Sequence, residues 1–280
     1  MFKSKSIVFL LALAVFSGAV VLPAIAQGNL LVTPRRVVFD GSRRVMELNL
    51  ANTGQDTARY NISFIQYRMT EAGSFEEITE PDPGQNFADR HIRFFPRSVT
   101  LAPNEAQTVR MQVVGQERLD PGEYRSHVYF RAVPNEVALG EEDPNRDTTS
   151  VSVRLIPIFG ITIPVIIRVG ESTTEVYISD LALEKGDNEE TFLNLTFNRS
   201  GNMSVYGDLS VTHVAPDGKE TQVGVVNGIA VYTPNATRKF RIQLNSQAGA
   251  NLNTGKLLIT YNAQSDVRPQ TFASSQLELP

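Results

Sequence analysis

Short runs of alternating apolar and polar residues dominate the chain from about residue 30 onward. Met46, Leu48 and Leu50 share one face of such a run, and a similar run spans residues 60–64. Gly, Pro, Asn and Asp separate these runs, and stretches with the 3.6-residue period of a helix are hard to find. Regular spacing of short alternating segments is typical of β-sandwiches, so we predict an all-β fold.

The alternating runs form two groups. The first group ends with a run at 127–133 and a longer apolar segment at 151–167, and the second extends from about 176 to 261. We therefore predict one all-β domain over residues 27–169 and a second over residues 170–280. The acidic segment 135–149 interrupts the first group, and we expect it to be an exposed connecting loop; a recognition or capping role is the alternative, because it directly precedes the long apolar segment.

The segment 151–167 is too long for an ordinary strand. Every odd position from Val151 to Ile167 is apolar, and seventeen extended residues would reach ~55 Å, whereas a typical strand has about 5–6 residues. Pro157 and Pro164 cannot donate ladder hydrogen bonds, which points to an edge strand or a change of partner. We predict that this apolar edge pairs with another protein by β-augmentation. A buried central strand, or two strands separated by a bend at Gly160, is the alternative.

The first 26 residues have the layout of a secretory signal peptide. Lys3 and Lys5 precede an apolar run from residue 7 to 21, and a small-x-small pattern ends at Ala26. The alternative is an N-terminal membrane anchor, for which about 15 apolar residues are few. We predict cleavage after Ala26, a mature protein outside the cytoplasm and no transmembrane segment in the mature chain.

Composition weakens most enzyme classes. The chain has no cysteine and only three histidines, which argues against disulfides, thiolate catalysis and metal sites. The formal net charge of −4 argues against a nucleic-acid partner. No hydrolase elbow, carboxylate dyad or phosphate-binding loop is present; the acidic pair Glu76–Glu77, for example, suggests a solvated loop. We predict a non-enzymatic protein without cofactor, metal or small-molecule substrate.

Residues 30–170 carry an ordered set of motifs. They are the first-strand segment 34–41, the run 45–52 with its turn, Phe95-Pro96, and the segments 101–110, 129–134 and 163–168. In this order they resemble the PapD-like periplasmic pilus-assembly chaperones. The resemblance implies two immunoglobulin-like domains in a boomerang arrangement. It also implies a periplasmic chaperone that lends its long G1 strand to a secreted pilus-type subunit, by donor-strand complementation, and delivers that subunit to an outer-membrane usher.

The resemblance also assigns roles to single residues. The lent side chains would be those of Val151, Val153, Leu155, Pro157 and Phe159. Arg36 would anchor the subunit's C-terminal carboxylate in the cleft between the domains.

Two positions depart from the family pattern. The family's second anchoring cation, a lysine, is replaced by Pro164, so Arg35 or Arg154 would serve, or the anchor is single. Arg168 would join an interdomain salt bridge, but Arg125 stands at the expected acidic position, so Glu123 would substitute for it.

A second hypothesis keeps the same edge strand but changes its use. Immunoglobulin-like domains of a surface or envelope protein would self-associate through it. Only about seven residues separate Ala26 from the first predicted strand, which is short for the donor arm of a pilus subunit, so we favour the chaperone.

Overall fold

The computed structural model describes residues 30–134, 158–187, 190–245, 248–264 and 270–279. These residues form eighteen β-strands and two short 3₁₀ helices, Asp89–His91 and Gln116–Arg118, so the fold is all-β. Within the described ranges, no helix is long and apolar enough to cross a membrane. The predicted signal peptide and the acidic segment 135–149 lie outside the described residues.

Eleven strands belong to the N-terminal part of the chain. They are β1 (Leu30–Thr33), β2 (Val37–Phe39), β3 (Val45–Asn52), β4 (Ala58–Ile65), β5 (Tyr67–Met69), β6 (Phe75–Glu77), β7 (Ile92–Phe95), β8 (Ser98–Leu101), β9 (Ala106–Val113), β10 (Gly122–Val133) and β11 (Gly160–Val169). One sheet has the order β1-β3-β9-β7 and the facing sheet has the order β2-β11-β10-β4-β8. The alternating apolar residues of both sheets interdigitate in one core, as in an immunoglobulin-like sandwich.

The predicted first strand at 34–41 is wrong in one respect. Only Val37–Phe39 of this segment is a strand, β2, and it pairs in parallel with β11, whereas the preceding strand β1 ends at Thr33 and pairs with β3 in the other sheet. The chain therefore changes sheets between Thr33 and Val37, and Arg36 lies just before β2. Each strand is too short for its two-residue period to distinguish this switch from one continuous strand.

Seven strands form a second sandwich. They are β12 (Glu175–Lys185), β13 (Thr191–Ser200), β14 (Val205–Val214), β15 (Glu220–Val231), β16 (Thr237–Leu244), β17 (Lys256–Ala263) and β18 (Thr271–Glu278). A sheet of order β12-β13-β16 faces one of order β15-β14-β17-β18. Phe197 and Tyr261 pack against each other in its core, with ring centroids 4.8 Å apart.

The β5–β6 hairpin extends from the first sandwich onto the second. The Asn235 side chain donates to the Met69 carbonyl (2.7 Å), and the Lys239 backbone N–H donates to the Glu71 carbonyl (2.7 Å). Glu76 and Glu77, which the sequence suggested were in a loop, lie in β6 and are exposed. The sequence did not predict this hairpin, because each of its strands has only three residues.

Candidate partner-binding edge and interdomain cleft

The β11 strand is covered along only part of one side. Its whole length, from Gly160 to Val169, pairs with β10, but β2 pairs only with Val165, Ile166 and Ile167. Among the described strands, none pairs with the segment from Gly160 to Pro164 on the β2 side. Pro164 lies on this segment, where its missing N–H costs no ladder hydrogen bond on the open side. This part of β11 is an edge that another strand can join.

The apolar row of odd positions extends beyond the core of its own domain. Ile167 and Val165 are 0% exposed and Ile163 is 4% exposed, whereas Phe159, on the same row, is 49% exposed. The Phe159 carbonyl still accepts a hydrogen bond from the Ala132 backbone N–H (2.9 Å), so the pairing with β10 continues past the end of β11. The row therefore changes from core-forming to solvent-facing between Ile163 and Phe159.

Four of the five side chains that the resemblance assigned to the lent strand fall outside the described residues. These are Val151, Val153, Leu155 and Pro157. The fifth, Phe159, is exposed beside Ile158, which is 45% exposed. Two adjacent large apolar side chains at the end of an open edge form a surface that favours a protein partner.

An open cleft of about 550 Å³ lies between the two sandwiches. Pro34, Arg35, Arg36 and Val38 line it from the first sandwich, and Tyr206, Asn227, Gly228 and Gln264 line it from the second. Arg36 lies one residue before the Val37–Val165 pair on β2, and Pro164 lies one residue before it on β11. The cleft therefore adjoins the open edge of β11.

The Arg36 guanidinium is buried without a full set of partners. Its Nε and Nη2 atoms are buried and have no hydrogen-bond partner in the described part of the chain. Its Cζ atom lies 4.5 Å from the centroid of the Tyr206 ring. Burial and then the neighbouring Arg168 cation lower the pKa of Arg36. A buried cation with free donors and a nearby like charge is a good receptor for an anion.

Glu123 joins the two sandwiches through three partners. Its carboxylate lies 2.8 Å from Nη1 of Arg125 and 3.3 Å from Nη2 of Arg168, and it accepts hydrogen bonds from the Ser204 hydroxyl (2.6 Å) and backbone N–H (3.0 Å). Burial alone would raise the pKa of Glu123, but the two arginines and Ser204 outweigh burial and lower the pKa. Arg168 also donates to the Ser204 carbonyl (2.7 Å), so it contacts the second sandwich directly.

Arg125 takes part in the same contact. It donates to the Thr233 carbonyl (2.6 Å) and lies over the Tyr232 ring, with its Cζ atom 3.7 Å from the centroid. Ser204, Thr233, Tyr232 and Tyr206 all belong to the second sandwich, and the sequence analysis identified none of them. No motif marks these residues, because only the packing of one sandwich on the other brings them to the site.

His127 lies beside this network among aromatic rings. The rings of Tyr67, Phe75 and Tyr232 lie within 6.2 Å of its own, centroid to centroid. Burial, and to a lesser extent Arg125, lower the pKa of His127 to about 3. His127 is therefore neutral near pH 7 and packs as a structural residue.

Only one of the two candidates for a second anchoring cation lies within the described residues. Arg35 is exposed and lines the cleft, whereas Arg154 falls outside the described residues. Pro164 pairs with His127 in the β10–β11 ladder and carries no charge. Arg35, the neighbour of Arg36 in the sequence, is therefore the candidate that the structure describes.

Comparisons with known proteins give similarity at the level of structure alone. No family model matches the chain, and no curated protein matches its sequence. The chain is similar in fold to fimbrial chaperones. The YadV chaperone aligns with a TM-score of 0.45 and 12% identity over 90% of this chain and 100% of its own.

Two further structures align over a similar extent. The CupB2 chaperone of Pseudomonas aeruginosa aligns with a TM-score of 0.41 and 13% identity over 89% of this chain and 100% of its own. A chain of the CsuC–CsuE chaperone–tip adhesion subunit complex of Acinetobacter baumannii aligns with a TM-score of 0.45 and 12% identity, over 87% of this chain and 97% of its own.

Proposed function

We propose that this protein is a non-enzymatic periplasmic chaperone that binds secreted pilus-type subunits by donor-strand complementation. The observation that carries the proposal is the course of β11: its apolar row leaves its own core at Phe159 while one side of the strand is open. An incomplete subunit sandwich supplies what this strand lacks, namely a groove for the apolar row and a backbone partner for the open edge.

The free energy gained by burying the apolar row can be compared with the cost of association. Burying one large apolar side chain contributes ~1.5–3 kcal/mol. Four side chains of the row from Val151 to Phe159 would then contribute roughly 6–12 kcal/mol, comparable to the ~4–15 kcal/mol that association costs. Apolar burial alone therefore leaves the complex marginal. Backbone pairing along the open edge and a charged contact in the cleft would decide whether it persists.

Arg36 supplies that charged contact in the proposal. The subunit's C-terminal carboxylate would accept hydrogen bonds from Nε and Nη2 of Arg36, which have no partner in the described part of the chain. The adjacency of the cleft to the open edge supports this role, because a strand that pairs with β11 then ends near Arg36. Arg168 and Glu123 would hold the two domains in place around the cleft, and the loaded subunit would then pass to an outer-membrane usher.

Replacing the apolar row with acids tests the strand. We expect Leu155→Asp with Phe159→Asp to abolish recovery of a 1:1 complex after co-expression with candidate secreted subunits, because a carboxylate in an apolar groove is strongly unfavourable. The matched control is Phe95→Asp, since Phe95 is an exposed aromatic residue (77%) in the other sheet of the same domain. Unchanged co-purification with the double variant would contradict the proposal, and recovery of homopolymer alone would favour self-association.

Arg36→Ala tests the anchor in the same assay. Loss of a charge-assisted hydrogen bond is worth about 1.5–3 kcal/mol, so we expect subunit affinity to fall roughly 10- to 150-fold. Arg43→Ala removes an exposed arginine of the same domain and serves as the control. Equal recovery with both variants would exclude Arg36 as the anchor.

A further inference from the structure

Pro164 interrupts the backbone donors along the open edge of β11. In an antiparallel pair, residues alternate between those that exchange hydrogen bonds with the partner strand and those that turn their N–H and C=O groups to the other side. The Ala132 N–H donates to the Phe159 carbonyl (2.9 Å), one step beyond the last pair of the β10–β11 ladder. The odd residues of β11 therefore bond to β10, and the even residues direct their backbone groups to the opposite side.

The even residues of β11 face two different surroundings. Ile166 lies in the middle of the short parallel ladder with β2, whereas none of the described strands covers Gly160 and Thr162 on that side. Each of these two residues presents one N–H and one C=O to the open edge. Pro164 follows them and presents no N–H, because its nitrogen carries no hydrogen. Thr162 thus supplies the last free backbone donor before the ladder with β2 begins.

The β2 strand closes this edge at the end nearer the cleft. Its pairing with β11 starts at Val37 and Val165, and Arg36 stands level with Pro164 just before that pair. A strand that joins the open edge is therefore collinear with β2 and meets it at Arg36. If its C-terminal end lies there, it runs parallel to β11, as β2 itself does. The open edge is thus a groove with one closed end.

We propose that Pro164 ends the ladder between β11 and an incoming strand, so that Thr162 makes its last hydrogen bonds. A terminal carboxylate opposite Pro164 meets no backbone donor of β11. It is left to Arg36, whose Nε and Nη2 atoms have no partner in the described part of the chain. Pro164 is therefore a positioning residue: it separates the part of the partner that pairs as a strand from the part that binds as an anion. The inference rests on the proposed function, because it takes the incoming strand to be the C-terminal strand of a subunit.

Amide hydrogen exchange tests the direction of the backbone groups. In the free chain, we expect the Thr162 amide to exchange at least about tenfold faster than those of Ile161 and Ile163, which bond to β10. On capture of a co-expressed subunit, the Thr162 amide should become protected, whereas the exchange of Ile161 and Ile163 should change little. Slow exchange of Thr162 in the free chain, or no gain of protection on capture, would overturn the inference.

Proline substitutions at two adjacent residues give a matched pair. Thr162→Pro removes a donor that the free chain does not use, so it should unfold at about the same temperature as Thr162→Ala but bind a subunit about three- to tenfold more weakly. Ile161→Pro removes a hydrogen bond of the β10–β11 ladder and should lower the unfolding temperature. Equal subunit affinity of Thr162→Pro and Thr162→Ala would count against the inference. If Thr162→Pro does not fold, the exchange of the Thr162 amide decides.

A double-mutant cycle tests Pro164 itself. Pro164→Ala restores an N–H opposite the end of the partner strand, so the terminal carboxylate gains a second donor. The loss of subunit affinity caused by Arg36→Ala should then be at least about threefold smaller in the Pro164→Ala background than in the unsubstituted chain. A general loss of stability in Pro164→Ala cancels in this comparison. An equal loss in both backgrounds would show that Pro164 does not position the carboxylate.

Failure of this inference differs from failure of the proposed function. If the unsubstituted chain captures no candidate subunit, the proposed function is wrong and the inference falls with it. If subunits are captured but neither Thr162→Pro nor the cycle shows the expected effect, only the inference is wrong.

Discussion

A single buried carboxylate pairs with two arginines where the two sandwiches meet. Glu123 pairs with Arg125 and Arg168 and accepts two hydrogen bonds from Ser204 of the second sandwich. Such a group is sensitive to removal, because Arg125 would then remain buried without an opposite charge. A small number of side chains at this junction can therefore fix one domain against the other.

We expect Glu123→Gln to lower the free energy of unfolding by about 3 kcal/mol at pH 7, since it leaves the buried Arg125 and the partly exposed Arg168 without their opposite charge. The measurement is denaturant unfolding, with Glu117→Gln, an exposed acid, as the control. The pKa of Glu123 is lowered in the folded chain, so its contribution is present above about pH 4.5 and is lost as pH falls through the folded pKa. If the free energy of unfolding fell by the same amount below pH 4.5 in Glu123→Gln and in Glu117→Gln, this role would be contradicted.

His127 gives a second pH dependence at higher pH. Its folded pKa of about 3 lies below the unfolded value of 6.5, so the unfolded chain binds the extra proton between these values. Stability is then fully present above pH 6.5 and falls by up to about 1.4 kcal/mol per pH unit as pH decreases from there.

His127→Phe should remove this slope between pH 6.5 and 4.5, because phenylalanine keeps the ring contacts and cannot titrate. Thermal unfolding across this range measures it, with His91→Phe as the control. A slope that survives in His127→Phe would assign the titration to another group.

At the scale of the element, β11 depends on a glycine at its first residue. A Cβ atom on Gly160 would overlap the Tyr129 ring, which packs across the β10–β11 ladder. We expect Gly160→Val to displace Tyr129 and to cost about 1–3 kcal/mol of stability. In a double-mutant cycle, Tyr129→Ala should recover most of that loss, and additive losses would show that the two residues do not conflict.

The sequence predicted the apolar row of β11 and its edge character but not its neighbours. The two-residue period and the prolines at 157 and 164 are local signals, so they can be recognised without a structure. The β5–β6 hairpin has three residues in each strand, which is too few for a period to be recognised. Tyr206 could not be predicted as a neighbour of Arg36, because 170 positions separate them and only interdomain packing joins them.

At the scale of the whole molecule, two kinds of contact join the sandwiches. The charged network around Glu123 lies beside the cleft, and the β5–β6 hairpin reaches over to β16 and the turn that precedes it. Domains of one chain move relative to each other unless their interface is extensive. The hairpin therefore adds a second line of contact that restricts rotation about the first.

Weakening the hairpin should loosen the arrangement of the domains without unfolding either. Phe75→Ala with Asn235→Ala removes the ring contact to Tyr232 (5.7 Å between centroids) and the hydrogen bond to Met69. The chain has no cysteine, so Glu117→Cys and Asp217→Cys provide one spin-label site on each domain. We expect the distance distribution between the labels to broaden in the double variant and to stay narrow in Phe95→Ala, whose exposed ring lies in the first sandwich on β7. An equally narrow distribution in the double variant would mean that the network around Glu123 fixes the domains by itself, and the cleft around Arg36 would then keep its shape without the hairpin.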